Sequence, residues 1–243
     1  MLPLAAGIPV SLLLGFLGVR VLRRAKKMGG LPDRLVGVFF LSMAIGTMPA
    51  LLAGDERLVP ATHARLAMAL GHAVLSVGFA ALYVFAWKCF GPRSSWRRAV
   101  ALTGMAVLAL LWAVQGLTEQ FAAPGGSAVR ATGLVRATAL AWAFGESLRY
   151  RLMMRRRAQL GLADPVVANR FLLWCWWTGA LLAANAVVVL FRFLVGDLEH
   201  VSPALHTAVV ICISSLGLAS GVSLWLAFFP PPAYILRLRA GAA

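Results

Sequence analysis

The chain has 243 residues, of which 61% are hydrophobic and only 13% charged, and its net charge is +15. A soluble domain carries about a quarter charged residues, and 8 acidic side chains cannot solvate a surface of this size, so a soluble globular fold is excluded. The basic residues flank apolar blocks and form no basic domain, which argues against nucleic acid and for membrane topology and anionic headgroups.

The blocks predict an all-α integral membrane protein, a single domain over 1–243 made of a bundle of seven transmembrane helices. Each is about twenty residues long, enough to cross a hydrocarbon core of about 30 Å. The first block, 2–22, has no basic residue before it and Arg20, Arg23, Arg24, Lys26 and Lys27 behind it. A secretory signal has the opposite polarity, so this reads as a first span with its N-terminus outside. Gly29-Gly30 and Pro32-Asp33 break the chain before the second block, 33–53, and Gly91-Pro92 ends the third, 64–89. The fourth, 98–120, turns at Pro124-Gly125-Gly126. The fifth, 129–152, runs on into the cluster Arg151, Arg155, Arg156 and Arg157. Asp164-Pro165 opens the sixth, 167–195, and Ser202-Pro203 opens the seventh, 203–229, which Pro230-Pro231-Pro232 stops.

Basic residues sort by side. The first, third and fifth connections and the tail hold 18 of the 23 Lys and Arg, while Asp55, Glu56, Glu119, Asp197 and Glu199 collect opposite. Under the positive-inside rule this puts the C-terminus in the cytoplasm and the protein in a bacterial-type inner membrane. Trp87, Trp96, Trp174, Trp176, Trp177, Trp225 and Tyr234 then form an aromatic belt at the cytoplasmic interface. Trp87, Phe90 and Pro92 recur as Trp225, Phe228 and Pro230 at one constant offset. Shared interface and stop chemistry is the simpler account; the alternative is a pair of parallel three-helix repeats joined by helix four.

Polar residues inside a bilayer are costly and mark candidate sites. At 1.5 Å per residue, His72 lies roughly 12 Å, Arg136 about 10 Å and His206 roughly 6 Å below the outer surface. Gln115 and Glu119 share a face of helix four, and Asn185 lies in the outer half of helix six. These six residues, carried by five helices, are the candidate ligand-binding set, for a small molecule or lipid between the helices. The competing account is interhelical packing, with Arg136 paired to Glu119. The arginines from Arg151 to Arg157 would meet anionic lipid or an acidic protein partner.

Cofactor chemistry finds little footing. Covalent retinal needs a lysine deep in a helix, and the only lysines are Lys26, Lys27 and Lys88, at cytoplasmic ends. His63, His72, His200 and His206 all fall in the outer half, but no HxxxH or HExxH spacing pairs two of them on one face, so a metal is not expected. The functions that remain are a receptor-like binding protein, a small-solute transporter of 3+1+3 helices, and, further off, a metal-dependent membrane enzyme or a structural subunit.

Overall fold

In a computed structural model of the chain, residues 2–53, 59–121, 126–195 and 202–240 are described. Asp55, Glu56, Asp197, Glu199 and His200, which the sequence puts on the outer side, lie outside them. The described residues are helical, with no strand. The helices are α1 (Leu2–Met28), α2 (Leu31–Ala53), α3 (Ala61–Phe90), α4 (Ser95–Val114), α5 (Ser127–Gln159), α6 (Pro165–Val195), α7 (Pro203–Phe228) and a short α8 (Pro232–Ala240). The predicted start signals act where expected: the Ser202 hydroxyl accepts from the Leu205 N–H at 3.4 Å, and the Asp164 carboxylate accepts from the Val166 N–H at 2.8 Å. Helix α8 was not predicted; it restarts at the last of the three prolines, whose fixed φ suits a first helical turn.

Five helical stretches are long and apolar enough to cross a membrane: Leu31–Pro49, His63–Phe90, Ser95–Glu119, Pro165–Phe191 and Ala204–Phe228. They mark the chain as a multi-pass membrane protein. Helices α1 and α5, at 27 and 33 residues, are longer than several of these but more charged. Most of the α1 charge sits in its last two turns, and α5 carries Arg136 and Glu146 within its span.

The main helix contacts trace a closed ring in the order α1–α2–α3–α5–α6–α7, with α4 packed outside against α3 and α5. Neighbours are antiparallel except at two seams, where α3 lies parallel to α5 and α7 parallel to α1. Tyr83 of α3 donates to the Val135 carbonyl of α5 at 2.9 Å, and further along Tyr150 donates to that of Phe90 at 3.3 Å. At the other seam Phe16 stacks on Trp225, and Arg24 donates to the Phe228 carbonyl.

Between apolar helices in lipid, close packing replaces the hydrophobic effect as the cohesive term. The α2–α3 crossing shows how far it goes: a Cβ added at Gly46 would stand 2.8 Å from the Gly71 oxygen. Across the ring, Trp177 of α6 reaches Phe39 and Phe40 of α2, with ring centroids 5.8 and 5.4 Å away. Trp177 is only 1% exposed, which corrects its place in the aromatic belt: it faces the bundle centre. Trp96 and Trp176 do face outward. Toward the basic end, Phe85, Phe90, Tyr150, Phe171 and Trp174 pack ring to ring with centroids between 5.1 and 6.2 Å. That end of the bundle is filled.

The echo between α3 and α7 holds at the level of hydrogen bonds. The Gly91 N–H returns to the Trp87 carbonyl at 3.0 Å, and the Phe229 N–H to that of Trp225 at 2.7 Å. In each case a guanidinium takes the freed phenylalanine carbonyl, Arg97 on Phe90 and Arg24 on Phe228. A second echo escaped the sequence reading. Helices α1 and α5 both stop at a left-handed glycine, Gly29 at φ 73° and Gly161 at φ 68°. Arg23-Arg24-Ala25 then Gly30-Leu31-Pro32-Asp33 parallels Arg156-Arg157-Ala158 then Gly161-Leu162-Ala163-Asp164. The two three-helix sets are laid out alike, and the parallel seams fall where a two-fold axis along the bundle would put them.

Glu146 of α5 meets Arg97 of α4 at 2.6 Å, both side chains nearly buried. Removing one partner strands a charge. Glu146→Ala is expected to cost about 3 kcal/mol, read as a lower Tm of the purified protein. The paired change Arg97→Met with Glu146→Leu should recover most of it; a double variant as unstable as the single one would refute the pair's role.

Candidate functional site

The end of the bundle away from the basic connections is hollow. A cavity of about 390 Å³ lies there, lined by all six helices of the ring. Helix α1 gives Val10, Ser11 and Leu14; α2 gives Phe39, Met43 and Thr47; α3 gives Leu75 and Phe79. From the other set, α5 gives Arg136 and Leu140, α6 gives Leu181, Ala184, Asn185 and Val188, and α7 gives Ile213, Ser214 and Gly217. Small residues make the room: Ser11, Ala184 and Gly217 stand where larger side chains would fill the centre.

Its polar groups differ in how well they are satisfied. The Ser11 and Thr47 hydroxyls meet at 3.1 Å, and the Thr47 hydroxyl also donates to the Met43 carbonyl at 2.8 Å, so their hydrogen bonds are spent within α1 and α2. Arg136 is different. Its guanidinium makes a long contact, 3.5 Å, with the His72 carbonyl and sits 5.6 Å from the centre of the Phe79 ring. Its Nε has no acceptor, and no carboxylate among the described residues pairs with it. Asn185 Oδ1, on the α6 wall, also lacks a donor.

Behind Arg136 lies a buried amide–imidazole pair, with His72 Nδ1 2.9 Å from Gln115 Oε1. Both residues are nearly sealed, 8% and 2% exposed. Gln115 opens a π-helical turn, Gln115–Glu119, that widens the end of α4 and turns the amide inward. The chain then leaves through Gln120 and Phe121 at φ 47° and 56°, a left-handed step that costs non-glycine residues energy. Thus α4 meets the His72 side chain through Gln115, and Arg136 meets the backbone carbonyl of the same residue.

Of the six residues singled out from sequence, Arg136 and Asn185 line the cavity, and His72 and Gln115 stand directly behind Arg136. Glu119 and His206 are not brought to it. The Glu119 carboxylate accepts the Ala128 N–H at 2.9 Å and the Ser127 hydroxyl at 3.4 Å, capping the positive end of α5. Its pairing with Arg136 does not occur. His206 lies two turns before Ile213, the first α7 residue on the wall, and is too near the helix start to reach it. Sequence reading missed Ser11, Thr47 and Ser214, because hydroxyls in apolar helices bond to their own backbone and give no periodic signal.

At the basic end, Arg155, Arg156 and Arg157 are exposed on the extension of α5 and Arg151 is half-buried. Arg149, Arg156 and Arg157 rim an open hollow whose floor is Leu148, Leu152 and Met153, cations above an apolar surface. Among the described residues no three of His, Cys, Asp and Glu come together as a metal-binding group would require.

The His72–Gln115 contact should couple the two residues. A double-mutant cycle with His72→Ala and Gln115→Ala is expected to return about 1 kcal/mol of interaction in thermal or denaturant unfolding. Additive effects would mean that the contact contributes nothing.

No protein-family model, curated protein or solved structure matches this chain, so its own geometry carries the functional argument.

Proposed function

We propose that the chain is a seven-helix membrane protein, N-terminus outside and C-terminus cytoplasmic, that binds a small molecule or lipid in its outer-half cavity and signals to a cytoplasmic partner. One observation carries the reading: a single cavity touches all six ring helices. A ligand there contacts every element whose packing defines the bundle, so it can favour one arrangement over another. With α1 and α5 counted as spans, the chain crosses seven times and the basic connections share one face, as the positive-inside rule requires of an inner-membrane protein. On that face the arginine-rimmed hollow of α5 suits the phosphates and upper chains of anionic lipid.

A transporter is the second reading, favoured by the matching layout of α1–α3 and α5–α7. Alternating access would require the inner half to open, which means parting the aromatic packing around Trp174 and Trp177 and the Arg97–Glu146 pair. The filled inner half is what ranks the binding protein first.

Two measurements test these readings. Reporters fused to the termini should place the N-terminus outside and the C-terminus in the cytoplasm; both in one compartment would dismantle the seven-span topology. The protein drawn intact from its membrane into a mass spectrometer should carry a small bound molecule, and Ala184→Phe, which fills the cavity wall, should release it. An empty parent protein whose Tm responds to no small molecule ends the binding-protein reading, and solute flux through liposomes then decides for the transporter.

A further inference from the structure

The cavity is short of one negative charge. Arg97, the other enclosed guanidinium discussed above, has Glu146 at 2.6 Å. Arg136 has only a carbonyl at 3.5 Å and the face of Phe79. A cation held in hydrocarbon without a counter-ion is costly, and such residues ordinarily find a partner. Every other polar group on the wall is neutral: Ser11, Thr47, Asn185 and Ser214. Since Ser11 and Thr47 already bond to each other, Asn185 and Ser214 remain to meet a polar head beside Arg136.

Size and wall chemistry restrict what brings the charge. At about 30 Å³ per water-sized group, a cavity of about 390 Å³ holds on the order of a dozen heavy atoms. That is one short chain; a diacyl lipid would have to leave most of its length outside. The remaining wall is apolar, with Leu14, Phe39, Leu75, Phe79, Leu140 and Leu181 converging on the space. The head must be a monoanion, because one guanidinium neutralises one charge. A phosphate monoester, at about −1.5 to −2, would leave excess charge in the bilayer. A carboxylate also matches the planar fork of an arginine.

Resting on the reading that this cavity binds a ligand, we propose that its occupant is a single-chain apolar carboxylate. The head pairs with Arg136, Asn185 and Ser214 supply the adjoining polar contacts, and the tail lies against the leucines and phenylalanines.

The test uses the full chain in nanodiscs of phosphatidylcholine alone, with decanoate, decanol, methyl decanoate and decylammonium as probes and calorimetric titration as the readout. Decanoate should bind at least about tenfold more tightly than the alcohol or the ester, a difference of about 1.4 kcal/mol, and decylammonium should bind least. Arg136→Gln should bind acid and alcohol alike, and Arg136→Lys should keep the preference for the acid. The ester comparison answers the same question if Arg136→Gln fails to fold. Decanol and decanoate binding equally to the parent protein overturns the carboxylate proposal while leaving the cavity a binding site. A preference for the acid that survives Arg136→Gln overturns the assignment to Arg136. Stabilisation by phosphatidylserine added to the nanodisc, with none from decanoate, overturns the single-chain occupant. Binding of none of the probes, by a protein that also retains no ligand from its membrane, overturns the binding reading itself.

Discussion

A guanidinium inside a helical bundle must be met by something, and much of this structure follows from how three arginines are met. Arg24 lies 3.8 Å from the Asp33 carboxylate and takes the last carbonyl of α7. Arg97 pairs with Glu146 and takes the last carbonyl of α3. Each solves two problems together, since a helix end in or near hydrocarbon also leaves carbonyls without donors. Arg136 is met only by a single carbonyl and an aromatic face. The difference is one of place: Arg24 and Arg97 belong to the filled end, Arg136 to the hollow one.

The same economy explains the likeness between α1–α3 and α5–α7. A helix that stops before a proline frees its final carbonyls, and a cation from a neighbouring element satisfies them best at the negative end of the dipole. Interface and stop chemistry would account for the two helix ends alone. It does not account for the left-handed glycine that follows both α1 and α5, nor for the two parallel seams of the ring. A layout repeated in this way places α2 and α6 opposite each other, which is why Trp177 meets Phe39 and Phe40 across the centre.

The all-helical class and most starts of the long helices were legible because they rest on local chemistry: block length, proline, glycine and an N-cap such as Ser202. Position along the bundle, relative to the cavity, was legible in part. Counting residues from a helix end put Arg136 and Asn185 at the right level, but it also admitted His206, which starts too near the end of α7. Direction was not legible. In α6 the tryptophans at 174, 176 and 177 look alike in sequence, yet Trp176 is 61% exposed while Trp177 is 1% exposed. A helix apolar nearly all round carries no stripe to say which face looks inward. Glu119 misled for another reason: its role depends on a turn that brings Ser127 and Ala128 back to it, and a count along a helix contains no such turn.

The π-helical turn at Gln115–Glu119 ties the cavity to the rest of the molecule. One extra residue in the turn rotates everything after it, so Gln115 faces His72 while Glu119 reaches the start of α5. Such turns are rare, cost some helical hydrogen bonding, and occur frequently at functional sites. Here the turn joins α4, the one long helix packed outside the ring, to His72 of α3 through Gln115.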